Sequence, residues 1–303
     1  NIDILLISTN SKYLICYFFI GVVHLMSKVA VLLPAYNEEV SIASMILLSL
    51  QYADEVIVID DGSSDRTSEV SRLAGATVLS HNTNKGKGAA LKTGFKYAQD
   101  YDIIVTIDAD GQHNPSEIPD VIKPIMEDRA DIVNGSRYIA GKDTTTPTYR
   151  RVGQTVLDNA TYLASGVKLT DTQSGFRAFS SKSIEYFNFD PNGFGIESDM
   201  LIEASVNKLR IVEVEITVRY DVNTTTDNPI VQGFSVLMRI LELMRFNRPL
   251  YFYGISGSIV LFLGILIILT VKASLFTNNI YISAIGYFIV VMGLFLLFFG
   301  LFS

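Results

Sequence analysis

The sequence predicts an α/β domain built on a mostly parallel sheet, followed by a pair of membrane-crossing helices. Three observations predict it. Short apolar runs suited to buried strands alternate with helix-length segments over the greater part of the chain. Two of those runs end in acidic clusters, Asp60-Asp61 and Asp108-Ala109-Asp110, at the strand ends where open α/β sheets hold ligands. From Leu250 to Ser303 the one charged residue is Lys272.

Lys28 to Leu33 reads as a buried strand closed by Pro34, and Glu38 to Leu50 as a helix. Glu55 to Ile59 is a second buried strand, after which Ser64 or Asp65 can cap a helix running through Ala74. Ala76 to Leu79 is a short strand and Lys87 to Gln99 a helix. The run Ile103 to Asp108 is a strand, Pro115 to Glu127 a helix with proline in its first turn, and Asp131 to Asn134 a strand. Gly141 to Thr148 reads as a mobile loop, Arg150 to Ser165 as a helix and Val212 to Val218 as a strand. Strands and helices alternating at this spacing place helices on both faces of the sheet.

Leu250 to Val271 and Ile280 to Phe302 each exceed the ~20 apolar residues that cross a bilayer as a helix. Arg239, Arg245 and Arg248 precede the first span, against Lys272 alone in the short link, so the large N-terminal domain is expected in the cytoplasm and the chain in the cell membrane with two spans. Just before the spans, Phe234, Leu237, Leu241 and Met244 recur at helical spacing with Arg239, Glu242 and Arg245 between them. That pattern predicts an amphipathic helix lying in the membrane interface, the other reading being a helix packed on the domain. The expected organisation is an N-terminal segment 1–25, a catalytic domain 26–230, an interface helix 231–249 and a transmembrane hairpin 250–303. Tyr13 to Leu25 is short for a span, and Met26 directly before the first strand is expected to be the functional start. The apolar run ending at Ser303 suggests truncation there.

The 303 residues can bury a full core. A net charge of −7 argues against nucleic-acid binding, since no strongly basic face is available to neutralise phosphates. Cys16 is the single cysteine, which excludes an internal disulfide and a cysteine-rich zinc site, and His24, His81 and His113 are too scattered for a metal cluster. Oligomeric state is not legible.

Alternation along an extended backbone would point Asp108 and Asp110 the same way. Two hard oxygen ligands suit a divalent cation that keeps positions open for phosphate oxygens, with Gln112 as a further oxygen donor; the other reading is a solvated turn. Lys85-Gly86-Lys87-Gly88 lacks the Gly-Lys-Ser/Thr ending of a Walker loop and reads as a flexible basic loop near a nucleotide, or as a helix cap.

Five motifs then stand in order: Pro34-Ala35-Tyr36-Asn37-Glu38-Glu39, Asp60-Asp61-Gly62-Ser63-Ser64-Asp65, Lys85-Gly86-Lys87-Gly88, Asp108-Ala109-Asp110-Gly111-Gln112 and Gln173-Ser174-Gly175-Phe176-Arg177. Together they resemble family 2 glycosyltransferases of the GT-A fold, in particular the dolichol-phosphate mannose synthase and polyprenyl-phosphate glycosyltransferase group, over about Lys28 to Leu250. The resemblance implies transfer of a sugar from a GDP- or UDP-linked donor to a polyprenyl (dolichyl) phosphate at the bilayer surface, with inversion at the anomeric carbon. It implies Mg²⁺ or Mn²⁺ on Asp108, Asp110 and Gln112. It implies donor contacts from Pro34, Tyr36, Glu38, Ile59, Asp61, Lys87, Asp108, Ala109, Asp110 and Arg219. Acceptor-phosphate contacts fall to Arg137, Arg151, Gln173 and Ser174, with Asp110, Arg137 and Arg151 as the catalytic set. Asp61 can accept from a base N–H or form the turn with Gly62, and Arg150 is the neighbouring alternative to Arg151. Glu197 and Asp199 sit where relatives carry a base or a sugar-contacting acid.

Two other enzymes and one non-enzyme compete. A processive polysaccharide synthase would carry a Gln-x-x-Arg-Trp signature, and the chain has no tryptophan. A nucleotidyltransferase would not explain the interface helix and hairpin. The non-enzyme reading is a catalytically inactive membrane-bound nucleotide-sugar binder, and the intact Asp108/Asp110 pair and retained basic loop speak against such decay.

Overall fold

The computed structural model describes residues 27–139, 148–187, 195–219, 229–272 and 280–302. The segment 1–26 with its expected start at Met26, and the loop 141–147, lie outside the described residues. Seven strands form one sheet: β1 (Val29–Ala35), β2 (Glu55–Asp60), β3 (Thr77–Ser80), β4 (Ile103–Thr106), β5 (Ile132–Ser136), β6 (Arg177–Ser180) and β7 (Ile211–Glu215). Their order is β3-β2-β1-β4-β6-β5-β7. Every pairing is parallel except those of β6, which runs antiparallel to both β4 and β5.

Helices cover both faces, which is why the strands read as continuous apolar runs rather than alternating ones. The first face is covered by α1 (Ile42–Ser49), with α2 (Thr67–Leu73) beside it; the second carries α3 (Lys87–Tyr97). On the first face Val31, Leu33 and Val105 pack with Ile42 and Ile46 of α1 and with Ile118 and Val121 of α4 (Ile118–Met126). On the second, Leu32, Ile57 and Ile59 pack with Leu91 and Phe95 of α3 and with Met200 of α7 (Ile196–Val206). Burying each Val, Leu or Ile contributes roughly 1.5–3 kcal/mol, so these two layers fix the sheet that positions the rim.

Pro34 does not close β1; it lies inside it, in register with Ile59. Ile107 donates to the carbonyl of Leu32 and Asp61 to that of Ala35, so Pro34 faces the β4 side after β4 pairing has ended at Thr106. Its missing N–H costs no ladder bond there. β7 is shorter than expected, ending at Glu215, with Val218 making only an isolated bridge to His113. The helix expected from Pro115 begins as a single 3-10 turn, Pro115–Glu117, capped by Asn114.

α5 (Thr148–Ser165) follows β5 and α6 (Ser181–Ile184) follows β6. α8 (Pro229–Asn247) buries Val236, Ile240 and Met244 against Ala160 and Ala164 of α5 and Ile202 of α7. Its outward face carries Val231, Phe234 and Met238. The expected apolar stripe is therefore split: Met244 faces the domain while Phe234 stays exposed.

Two helices, α9 (Pro249–Lys272) and α10 (Ile280–Phe302), are each long and apolar enough to cross a membrane. They pack on each other through glycines seven residues apart, Gly257 and Gly264 facing Gly286, Gly293 and Gly300. A Cβ at Gly293 would lie 2.5 Å from the Leu261 nitrogen, so only glycine permits this approach. Phe262, Phe288, Phe295 and Leu301 point outward, as lipid-facing side chains would.

Candidate active site

The cleft is built where β1, β2 and β4 end. It is lined by Pro34, Ala35, Tyr36, Glu38, Asp61, Asn84, Gly86, Lys87, Ala90, Asp108, Ala109 and Asp110 and has a volume of about 260 Å³. Adjacent parallel strands bring these residues together although they are far apart in sequence. The loops after β1 and β2 are clasped to one another. Asn37, at φ 55°, accepts from Ser64 N at 2.8 Å and donates its own N–H to Ser63 Oγ at 2.9 Å. Across the same gap the Glu39 N–H donates to Asp65 Oδ2 at 3.1 Å, and the Glu39 carboxylate accepts from Arg66 N at 2.9 Å. Asp65 also accepts from the Thr67 amide at 2.9 Å, one residue ahead of the N-cap position of α2, which is Arg66 rather than the Ser64 or Asp65 expected.

β4 ends at Thr106, so Asp108 and Asp110 lie in the segment just beyond it, and both line the cleft. Lys87 Nζ lies 2.6 Å from Asp108 and 2.7 Å from Glu197 at the start of α7. Burial resists ionisation of Asp108, but Lys87, with His113 and Arg137 adding to it, holds the carboxyl below the usual range. Asp110 is pushed up to about 6, first by burial and then by Asp108 beside it. Glu38 is also raised, mainly by burial. This is a surplus of hard anionic oxygen in one cleft, and a single ammonium already sits against it. Among the described residues no group of three or more acids and imidazoles forms an all-protein metal cage. Mg²⁺ or Mn²⁺ held by one or two carboxylates plus diphosphate and water needs none, so Asp108 and Asp110 fit it.

Of the other expected donor residues, Ile59 is fully buried in the core beneath the cleft. Gln112 does not line it; its N–H donates to Asp110 and its carbonyl accepts from Arg219 N at 2.9 Å. Arg219 thereby stands next to the Asp110 loop. Asp61 accepts from His81 Nδ1 and from the amides of Lys85 and Gly86.

The expected acceptor residues form a second group. Arg137 grips Asp171 with two parallel bonds of 2.6 and 2.7 Å. The guanidiniums of Arg137 and Arg151 lie 5.2 and 3.7 Å from the centre of the Tyr138 ring, so both arginines meet at one aromatic. Arg150 opens the same helix, but its side chain is outside the described residues. Gln173 donates to Ser198 Oγ at 2.7 Å, and Ser174 Oγ accepts from Phe176 N.

Two residues join the groups. Gly175 backs directly onto Asp108, whose carboxylate a Cβ there would strike. Arg177 is buried, brought down to about 10 by that burial, and bonds the carbonyls of Glu197 and Thr172. His113, held edge-on to Phe176 and pushed down to about 4 by burial, is neutral near pH 7, with Asp108 and Arg137 as its charged neighbours. Sequence reasoning missed Asp171, Tyr138 and His113. Asp171 stands two residues before the Gln173 motif, and its proximity to that turn was the available signal.

A nucleotide-scale cleft at the parallel rim, carrying paired carboxylates and a neighbouring arginine pair, defines a GT-A type transferase site. The glycosyl transferase family 2 profile matches residues 30–187, more than half of the chain, and the protein belongs to that family of glycosyltransferases. The chain is 35% identical over 237 residues to the UDP-N-acetylglucosamine–dolichyl-phosphate N-acetylglucosaminyltransferase of Methanococcus voltae, covering 70% of this chain and 94% of that one. It is 31% identical to the undecaprenyl-phosphate mannosyltransferase of Micrococcus luteus, over 63% of this chain and 83% of the relative. Among solved structures, the glucosyl-3-phosphoglycerate synthase of Mycobacterium tuberculosis with Mn²⁺, UDP and glucosyl-3-phosphoglycerate matches at TM-score 0.58 and 26% identity, over 72% of this chain and 80% of that one.

Proposed function

We propose that this glycosyltransferase moves a sugar from a nucleotide diphosphate donor to a polyprenyl (dolichyl) phosphate at the cytoplasmic face of the membrane, with inversion. One observation carries the reading: Arg137, which shares the Tyr138 ring with Arg151, is near enough to Asp108 to help hold its carboxyl ionised, and this supports an acceptor-phosphate site beside the Asp108/Asp110 cleft. The names of the polyprenyl-phosphate relatives support the acceptor, and the M. voltae relative together with the UDP-bound neighbours favours a UDP-linked donor over a GDP-linked one.

In this reading Asp108 and Asp110 hold Mg²⁺ or Mn²⁺, whose charge stabilises the leaving nucleoside diphosphate. Tyr36, Glu38 and Asp61 receive the nucleoside, Pro34 and Ala109 shape the walls, and Lys87 adds positive charge beside the diphosphate. Arg137 and Arg151 neutralise and orient the acceptor phosphate, with Gln173 and Ser174 on the loop beneath. A phosphate monoester is already largely ionised near neutral pH, so no strong base is required. One of its oxygens forms a bond to the anomeric carbon as the bond from that carbon to the donor phosphate breaks, and the electron pair leaves with the nucleoside diphosphate. The interface role of α8 and the cytoplasmic orientation rest on its exposed Val231, Phe234 and Met238 and on the arginines before α9.

The test is incubation of the purified chain with a panel of UDP- and GDP-sugars, polyprenyl phosphate and Mn²⁺, with lipid products weighed by mass spectrometry. A lipid phosphosugar from one donor is expected. Sugar transfer only to water, or no transfer from any donor, would overturn the proposal.

A further inference from the structure

His81 belongs to no motif and does not line the cleft, yet it is bound into the residue that does. Asp61 is 4% exposed. Its Oδ1 lies 2.6 Å from His81 Nδ1 and accepts from Lys85 N at 3.0 Å, and its Oδ2 accepts from Gly86 N at 2.7 Å. Because a carboxylate only accepts, Nδ1 is the nitrogen that carries the proton toward Asp61. The other ring nitrogen, Nε2, lies 2.9 Å from Thr93 Oγ1 on α3, which fixes the ring angle. The chain from His81 to Gly86 thus starts and finishes on one carboxylate. Between those ends it passes over Gly62, where a Cβ would meet the Thr83 carbonyl carbon at 2.6 Å. That loop supplies Asn84 and Gly86 to the cleft wall and leads into Lys87.

From this geometry we propose that His81 is a positioning residue for nucleotide binding: acting through Asp61, it sets the aim of that carboxylate and the seat of the Asn84–Lys87 lip. The inference deepens the function proposed above and rests on it. With the His81 bond intact, Asp61 presents its remaining acceptor capacity to the cleft in one orientation. Without it, the carboxylate is held only by two amides of the very loop it organises, and both relax together. Packing alone does not account for the arrangement, since both ring nitrogens have polar partners and neither faces an apolar wall.

The test is calorimetric titration of the full chain with UDP and, in a parallel arm, GDP, each with Mn²⁺, using wild type, His81→Asn, His81→Gln and Thr93→Val. The amide nitrogen of Asn reaches the place of Nδ1 and keeps the donor to Asp61, whereas that of Gln reaches toward Nε2 and loses it. His81→Asn is expected to bind within ~3-fold of wild type and His81→Gln at least ~10-fold more weakly, the scale of one hydrogen bond to a charged group, with acceptor KM unchanged in both. Equal affinity of the Asn and Gln variants, whether both kept or both lost, overturns the inference, because a purely structural imidazole would not distinguish them. Should His81→Gln not fold, Thr93→Val carries the test: releasing the ring angle is expected to weaken nucleotide binding ~3-fold at unchanged acceptor KM, and no change overturns the inference. A wild-type chain that binds neither nucleotide overturns the functional reading itself, and the role of His81 with it.

Discussion

Asp108 and Asp110 are two residues apart, and the fold drives them in opposite directions. Lys87 keeps the first ionised, while burial and the first carboxylate raise the second to about 6. Asp110→Asn keeps the volume and removes the charge a cation requires, so transfer should fall at least ~100-fold with the melting temperature unchanged or raised. Retained activity with normal Mn²⁺ dependence would remove Asp110 from the metal site. Arg137 and Arg151 call for different experiments. Arg137→Ala strands the fully buried Asp171, and breaking such a pair costs ~3–5 kcal/mol of stability before any catalytic effect is read. Arg151 sits on the Tyr138 face, so Arg151→Ala is the cleaner probe: a loss of ~10-fold in acceptor kcat/KM, with UDP binding and melting temperature nearly unchanged. Asp158 gives a pH prediction. Burial lifts it to about 6 despite bonds from Thr172. The native state then binds a proton that the unfolded chain has released, so stability falls as pH rises from about 4 to 6 and stays low above that. Asp158→Asn should stabilise the protein by up to about 2–3 kcal/mol at pH 7 and by little at pH 4, read from melting curves at both values. The rim acids were legible because each follows its own strand within a few residues. Lys87 with Glu197, and Arg137 with Asp171, were not, since their contacts span sequence distances that only the tertiary fold closes.

At the scale of elements, the long apolar strands β1, β2 and β4 could be read directly because burial on both faces leaves an unbroken hydrophobic run. β6 could not. It has four residues, Arg177–Ser180, one of them a buried arginine, and it exists because β4 and β5 offer edges on either side. In the sequence this stretch stands out only through the Gln173–Arg177 motif, whose last residue is the first of β6. The hairpin behaves in the reverse way, since its glycine spacing was visible in the chain and acquires meaning only from the contact it permits. Gly293→Leu should force α9 and α10 apart at Leu261 and lower the melting temperature in detergent, while UDP affinity, set in the distant cleft, stays the same. An unchanged melting temperature would show that the close approach contributes nothing to stability.

For the molecule as a whole, α8 connects sheet domain and hairpin. Its inner face completes a small core with α5 and α7, and Arg239 is paired with the buried Asp199 at 3.0 Å. A chain ending near residue 228 therefore loses the cover of Ala160 and Ile202 and should aggregate. One ending at Arg248, which donates to the Ser165 carbonyl, should stay monodisperse without detergent and bind UDP, yet transfer poorly to a long-chain polyprenyl phosphate. Size-exclusion profiles of the two chains check this, and equal behaviour would mean that α8 is not part of the domain. The central claim concerns the reaction at the joined sites: acceptor phosphate displaces the nucleoside diphosphate in a single step that depends on the cation at Asp108 and Asp110. It is tested most directly by the anomeric configuration of the lipid product made from an α-linked nucleotide sugar, determined by NMR with Mn²⁺ and again with excess chelator. The account predicts a β-linked polyprenyl phosphosugar with Mn²⁺ and no product in chelator; an α-linked product, or undiminished formation in chelator, would contradict it.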